Sequence, residues 1–284
     1  MSPRFICDLF TPGEANVIAF GVSIGKDSNK ALNSLRKVSD YIEPFDLDKK
    51  RNLLDDVKVA DVGDLRLKKL DEITAKTKEI LEVKKTPLVL SGGHLSTYYI
   101  LKAFKDVKLI VFDAHTDLKN EYRDEKINDL NFFRGIKFDP KLNDATWLRR
   151  ACEFINPKNI LLLGVRSCDE FDFDFMEKNG ISYFTPNHVK NNIKKVKDRI
   201  KEFVNNSRVY ISIDIDVFDP SIAPAVHHPE PNGLFLHEFI ELINIVDKAK
   251  VVGMDLCCIK HPTDNKTGFL ATRAVFEVLS LLSR

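Results

Sequence analysis

Short unbroken apolar runs recur along this chain between longer stretches of helical period, and they constrain its fold more than any other feature. Leu109-Ile110-Val111-Phe112 and Ile160-Leu161-Leu162-Leu163 contain no polar residue. A half-exposed strand alternates apolar with polar residues, whereas an unbroken run suits a strand buried on both faces of a parallel sheet. The strand candidates are Asn16–Val22, Val57–Val62, Pro87–Ser91, Val107–Asp113, Asn159–Arg166, Ile181–Phe184, Arg208–Asp216 and Val251–Leu256. Helix-period segments lie between them at Leu65–Val83, Ser96–Lys105, Thr146–Phe154, His188–Asn205, His237–Val246 and Ala271–Leu282. This alternation predicts an α/β fold of three layers, α/β/α, around a mainly parallel eight-stranded sheet. No repeat, low-complexity tract or Pro/Gly-rich linker divides the sequence, so residues 1–284 read as one domain.

Composition narrows the function by exclusion. Lys and Arg total 43 against 42 Asp and Glu, a formal net charge of +1. That balance gives no footprint for nucleic acid or an acidic membrane surface. No apolar run reaches the roughly 18–20 residues of a membrane span. Arg4 and Asp8 interrupt any signal-peptide core at the start. The five cysteines (Cys7, Cys152, Cys168, Cys257 and Cys258) show no CxxC spacing, and their odd number argues against a disulfide framework. A cytoplasmic location is therefore expected. Lys119–Leu142 is polar, charged and without clear period, which reads either as a functional lid or as a solvated insertion.

The chemistry gathers where strands end. The run Val107–Asp113 leads into Asp113-Ala114-His115-Thr116-Asp117. In an extended chain the two carboxylates and the imidazole would project to one side. Tyr210-Ile211-Ser212-Ile213 ends in Asp214-Ile215-Asp216, and Leu88–Ser91 ends in Gly92-Gly93-His94. Ligands of open parallel sheets bind just beyond the carboxyl ends of the strands. Four carboxylates converging there would repel one another and lose hydration, so their pKa values would rise unless cations neutralised them. Oxygen-rich sites with a few histidines favour hard or borderline divalent ions such as Mn²⁺. A pair of such ions can lower the pKa of a shared water, so the reaction class implied is metal-assisted hydrolysis.

These residues also carry a family resemblance. Ser91-Gly92-Gly93-His94, Asp113-Ala114-His115-Thr116-Asp117-Leu118 and Ser212-Ile213-Asp214-Ile215-Asp216-Val217-Phe218-Asp219-Pro220 resemble the three signatures of the ureohydrolases. That family includes arginase, agmatinase and formimidoylglutamase. Asp61-Val62-Gly63-Asp64, Pro229-Glu230-Pro231-Asn232-Gly233-Leu234 and Val252-Gly253-Met254-Asp255 extend the likeness over nearly the whole chain. The resemblance implies an arginase-like fold and two Mn²⁺ ions. His94, Asp113, Asp117 and Asp214 would hold one; Asp113, His115, Asp214 and Asp216 would hold the other. A hydroxide between them, oriented by Asp117, would attack a guanidinium or related amidine; in the agmatinase case agmatine would yield putrescine and urea. Family members commonly assemble as trimers or hexamers, so a homo-oligomer is expected.

Departures from the pattern bear on the substrate. Asp144 stands where arginases and agmatinases place a histidine that hands a proton to the leaving amine. A solvent-exposed aspartic acid, with a pKa near ~4, would be a poor acid at neutral pH unless that value were raised. His228 is a candidate substitute donor, with His227 and His261 as further ones. Cys258 stands where the pattern has a glutamate that pairs with the guanidinium, and a thiol lacks the two-oxygen acceptor that such a fork matches. Asn120 and Asn143, at the two ends of the Lys119–Leu142 segment, are candidate contacts to the substrate's tail. One alternative keeps the metals but takes another linear amidine or amide such as formimidoylglutamate; a second is a catalytically silent metal-binding paralogue. Of Cys257 and Cys258, strand alternation lets at most one thiol face the site.

Overall fold

Strand pairing follows from the apolar runs. In the computed structural model, which describes residues 4–8, 10–25, 27–55, 57–122, 139–261 and 264–282, all eight expected strands form. They are β1 (Val17–Val22), β4 (Val59–Asp64), β5 (Thr86–Ser91), β6 (Lys108–Phe112), β7 (Ile160–Leu163), β8 (Ser182–Phe184), β9 (Arg208–Asp214) and β10 (Lys250–Cys257). Their order is β4-β1-β5-β10-β9-β6-β7-β8, and every pairing in the sheet is parallel. A short antiparallel ribbon, β2 (Phe45–Asp46) with β3 (Arg51–Asn52), stands apart.

Successive strand side chains go to opposite faces, and both faces are packed. Ile110, Phe112, Ile211 and Ile213 enter one core, against α1 (Ser28–Ser39), α6 (Pro186–Val204), α7 (Leu236–Ile243) and α8 (Asn265–Leu279). Leu109, Val111, Ile160 and Tyr210 enter the other, against α2 (Asp71–Glu82), α3 (Leu95–Leu101), α4 (Trp147–Ala151) and α5 (Glu170–Asn179). The three layers expected from the sequence are present. Each such fully buried side chain contributes roughly 1.5–3 kcal/mol by leaving water.

Two helices lay outside the sequence-based expectation. In α5 the run Glu170-Phe171-Asp172-Phe173-Asp174-Phe175 alternates like a strand, but its ends select a helix. Asp169 accepts the N–H of Asp172 at 2.9 Å as the N-cap, and Gly180 closes the C-terminus at φ 73°. Helix α1 buries Ala31, Leu32 and Leu35 while its Arg36 is almost fully enclosed. The Arg36 guanidinium meets Asp61 at 2.7 Å and Asp64 at 2.6 Å, so the Asp61-Val62-Gly63-Asp64 element ties β4 to α1. Expected segments also shorten: Leu65–Val83 is helical only from Asp71, and Asn159–Arg166 is extended only to Leu163. Of the Lys119–Leu142 segment, residues 123–138 lie outside the described residues.

Candidate metal centre

Four adjacent strands, β5, β10, β9 and β6, deliver the chemistry at their carboxyl ends. Register brings the residues together. Cys257 pairs with Asp214, Asp255 with Ser212, and Phe112 with Ile213, which sets Asp113 beside Asp214. On β5 the chain must leave the sheet through Gly92-Gly93 before His94. A Cβ at Gly92 would lie 2.2 Å from the Ile24 carbonyl oxygen and 2.3 Å from Ser28 Cβ. One at Gly93 would lie 2.9 Å from Asp144 Oδ1. Both glycines are required by close approach.

The local geometry differs from an extended arm. β6 ends at Phe112, and Asp113 to Asp117 form a loop in which Asp117 takes a left-handed backbone, φ 51°. The N–H of His115 donates to Asp113 Oδ1 at 2.7 Å. β9 likewise gives way at Asp214 to a 3₁₀ turn, Ile215–Val217, with the N–H of Asp216 donating to Asp214 Oδ1 at 2.9 Å. These turns, rather than strand alternation, aim the carboxylates.

The six expected ligands do converge. His94 Nδ1 lies 2.9 Å from Asp113 Oδ2, 3.1 Å from Asp117 Oδ2 and 3.5 Å from Asp214 Oδ2. His115 Nδ1 lies 3.0 Å from Asp216 Oδ2 and 3.5 Å from Asp113 Oδ1. Two triads, His94/Asp113/Asp214 and Asp113/His115/Asp216, keep their donor atoms within 4.8 Å of one another. Despite the short distances, His94 Nδ1 is buried without a hydrogen bond of proper geometry. An atom so placed, facing carboxylate oxygens aimed at the same space, fits a divalent cation better than a hydrogen bond. The donor set is oxygen and imidazole nitrogen, which suits hard or borderline ions.

Electrostatics points the same way. Burial would push His94 below its usual pKa, but Asp113 and Asp117 hold it well above. Burial likewise opposes a charge on His115, yet Asp113 and Asp216 hold its pKa up at about 11. Asp113 is pushed up to about 6 by burial and by the charges of Asp117 and Asp216. Burial and the same neighbourhood of carboxylates drive Asp214 well above its usual range; burial opposes the Asp216 charge too, but the His115 hydrogen bond and charge together with the Ala114 N–H lower it. Both sets of shifts reflect buried negative charge that bound cations would neutralise.

Around this cluster a positioning network was only partly visible in the sequence. Ser212 Oγ lies 2.9 Å from His94 Nε2 and 2.7 Å from Asp255 Oδ1, and Tyr210 and Thr97 also donate to Asp255. Trp147 Nε1 donates to Asp117 Oδ2 at 2.7 Å. Arg166 drew no attention in the sequence, having no motif around it. Its guanidinium donates to the carbonyls of Asp216 at 2.9 Å, Glu230 at 2.8 Å and Pro231 at 3.0 Å, fastening the Asp214–Asp216 turn to the Pro229–Pro231 loop.

The remaining candidates are placed unequally. Asp144 is half-buried behind Gly93 and accepts the Leu95 N–H at 2.7 Å; burial and the Asp117 charge raise its pKa. His228 is exposed, its ring edge-on to His115 at 6.0 Å between centroids. Glu230 reaches within 3.8 Å of His115 Nε2. Asn143 Nδ2 is engaged by the carbonyls of Tyr122, Asp139 and Pro140, and Asn120 is exposed and accepts from Arg150. Those two side chains brace the base of the Lys119–Leu142 segment. Cys258 is half-buried at φ 68°, and that left-handed turn breaks the strand alternation. Both thiols therefore approach Asp214, against the expectation that only one could face the site.

The model of the arginase family matches residues 19–280. This chain belongs to the arginase family. Among its relatives, the agmatinase of Halalkalibacterium halodurans is 30% identical over 274 residues, spanning 91% of this chain and 87% of that one. The solved agmatine ureohydrolase of Thermoplasma volcanium superposes with a TM-score of 0.82 at 28% identity, covering 99% of this chain and 94% of the other. The proclavaminate amidino hydrolase of Streptomyces clavuligerus shares the fold, with a TM-score of 0.85 at 23% identity and coverage of 99% and 97%. Membership makes the chain a C–N hydrolase of the metal-dependent ureohydrolase type. No helix among the described residues is long and apolar enough to cross a membrane.

Proposed function

We propose that this protein is a manganese-dependent amidinohydrolase whose substrate is a linear guanidino compound, with agmatine, split to putrescine and urea, as the leading candidate. The observation that carries the reading is the convergence of His94, Asp113, His115, Asp117, Asp214 and Asp216, with a buried His94 Nδ1 that no hydrogen bond satisfies. His94, Asp113, Asp117 and Asp214 are assigned to one ion, and Asp113, His115, Asp214 and Asp216 to the other. When bound, the two ions supply a water of lowered pKa and polarise the amidine carbon.

The chain's own groups do the rest. Asp117, held by the Trp147 indole, orients the attacking water. Asp144 hands a proton to the departing amine, and its raised pKa moves it toward the range a general acid needs. His228, edge-on to His115 at 6.0 Å between ring centroids, is a second proton carrier. The names of the two agmatine-cleaving relatives support a guanidino substrate. A specific observation favours a second reading: the thiol of Cys258, near Asp214, cannot grip a guanidinium as a carboxylate would. That reading takes a linear amidine such as formimidoylglutamate and releases formamide.

The test is a product screen on Mn²⁺-loaded protein offered agmatine, guanidinobutyrate, arginine and formimidoylglutamate. Urea from agmatine is the expected result. Formamide without urea would transfer the assignment to the second reading, and no product from any of the four would sink both.

A further inference from the structure

Cys257 closes β10 beside Asp214, and Cys258 turns back toward the same carboxylate. The two sulfur atoms and an Asp214 oxygen all lie within 4.8 Å of one another. The Cys257 thiol is fully buried, 3.6 Å from the Ile213 carbonyl oxygen and 3.7 Å from Asp214 Oδ2. Cys258 is half-buried, and its φ of 68° is a conformation that L-residues seldom adopt. His94 Nδ1, buried and without a hydrogen-bond partner, lies 3.5 Å from Asp214 Oδ2. A thiol therefore lies beside the carboxylate that the proposed reading assigns to both ions.

We infer that Cys258 supplies a thiolate ligand to a divalent ion that Asp214 helps to hold, so that beside the Mn²⁺ assigned above the centre binds thiophilic ions such as Zn²⁺ and Co²⁺ more tightly than its carboxylates alone would allow. Thiolate ligands select softer ions, while carboxylates suit Mn²⁺ and Mg²⁺. As the sulfur–metal bond forms, the S–H bond breaks and its proton passes to solvent; no electron is transferred. The inference rests on the metal-centre reading above and deepens it by adding a sulfur ligand to the donor set.

The test loads the full-length protein with Co²⁺ and follows two absorption signals. Visible d–d bands report that cobalt occupies the centre, and a near-ultraviolet sulfur-to-cobalt charge-transfer band reports a thiolate ligand. The parent protein and Cys257→Ser should show both. Cys258→Ser should keep the d–d bands and lose the charge-transfer band. It should also bind Zn²⁺ about 10–100-fold more weakly, the range typical of a lost supporting ligand contact, with a smaller change for Mn²⁺. Parent protein with d–d bands but no charge-transfer band overturns the inference, as does a band that survives Cys258→Ser or disappears with Cys257→Ser alone. Absence of d–d bands from the parent protein would overturn the metal-centre reading beneath it.

Discussion

Replacing Asp255 by asparagine should damage metal binding without touching a ligand. Ser212 has one hydroxyl hydrogen, and its 2.7 Å contact with Asp255 Oδ1 uses it. The 2.9 Å contact between Ser212 Oγ and His94 Nε2 must then be donated by the imidazole. His94 is fixed as the Nε2–H tautomer, which leaves the Nδ1 lone pair facing Asp113, Asp117 and Asp214. Asparagine keeps the shape but brings an NH₂ group among three hydroxyls, those of Tyr210, Ser212 and Thr97. If that group donates to Ser212, the serine hydroxyl swings toward His94 and favours the Nδ1–H form, whose proton points into the metal position.

The expected loss is about 10–100-fold in Mn²⁺ affinity, as for other groups that orient a ligand histidine, or roughly 1.4–2.7 kcal/mol. Loss of one charge-assisted hydrogen bond should lower metal-free stability by about 1.5–3 kcal/mol. Titration calorimetry with Mn²⁺ and urea melts read the two effects separately, and Ser212→Ala should reproduce the affinity loss. Burial pushes the Asp255 carboxyl upward while His94 and the hydroxyls hold it back. A folded Asp255→Asn protein with parental Mn²⁺ affinity would mean the carboxyl is already neutral, and the tautomer argument would fall.

Three further outcomes follow from the same geometry. The His115 pKa of about 11 lies above its unfolded value of about 6.5, so its ion pair with Asp216, whose carboxyl is held low, stabilises the metal-free fold fully below ~6.5, and this contribution is lost progressively up to about 11. Chelated protein should therefore melt at falling temperature across that pH window, and a His115→Asn variant with the parental slope would count against the assignment. Gly93→Ala places a methyl 2.9 Å from Asp144 Oδ1; it should displace that side chain, cost about 1–3 kcal/mol in stability and depress kcat while Mn²⁺ binding persists. Arg166→Ala removes this donor from the part-buried carbonyls of Asp216 and Glu230, so about 1–3 kcal/mol of stability should go, with faster proteolysis at Pro229–Pro231 measured by gel.

The sheet was legible because its strands are buried on both faces. A run such as Ile160-Leu161-Leu162-Leu163 leaves few alternatives to a central parallel strand, and it became one. Where local and tertiary signals conflict, the pattern misled. Phe171, Phe173 and Phe175 alternate with acids as a strand would, but Asp169 and Gly180 cap the segment as helix α5. Arg36 gave the opposite difficulty: a charged residue at a core position weakens a helical pattern unless its partners, Asp61 and Asp64, are known to lie across from it. Those partners are more than twenty residues away, beyond the reach of periodicity.

The same division runs through the site. The six cluster residues were readable because each lies at, or within five residues of, the carboxyl end of a buried strand, and parallel register carries those ends to one edge. Their aim was not readable, since it depends on the left-handed turn at Asp117 and the 3₁₀ turn after Asp214. Cys258 shows what this means for function. Alternation along β10 excludes one of two neighbouring thiols from the site, but a single backbone angle of 68° cancels that exclusion and brings both sulfurs to Asp214. The residues proposed to hold the metals inherit their positions from strand ends, whereas Asp144 and Cys258, proposed for proton transfer and ion choice, take theirs from loops. Asp144 depends on the missing Cβ of Gly93, and Cys258 on a left-handed turn. The reaction class can thus be read from strand ends, while selectivity resides in loop conformations that no run or period encodes.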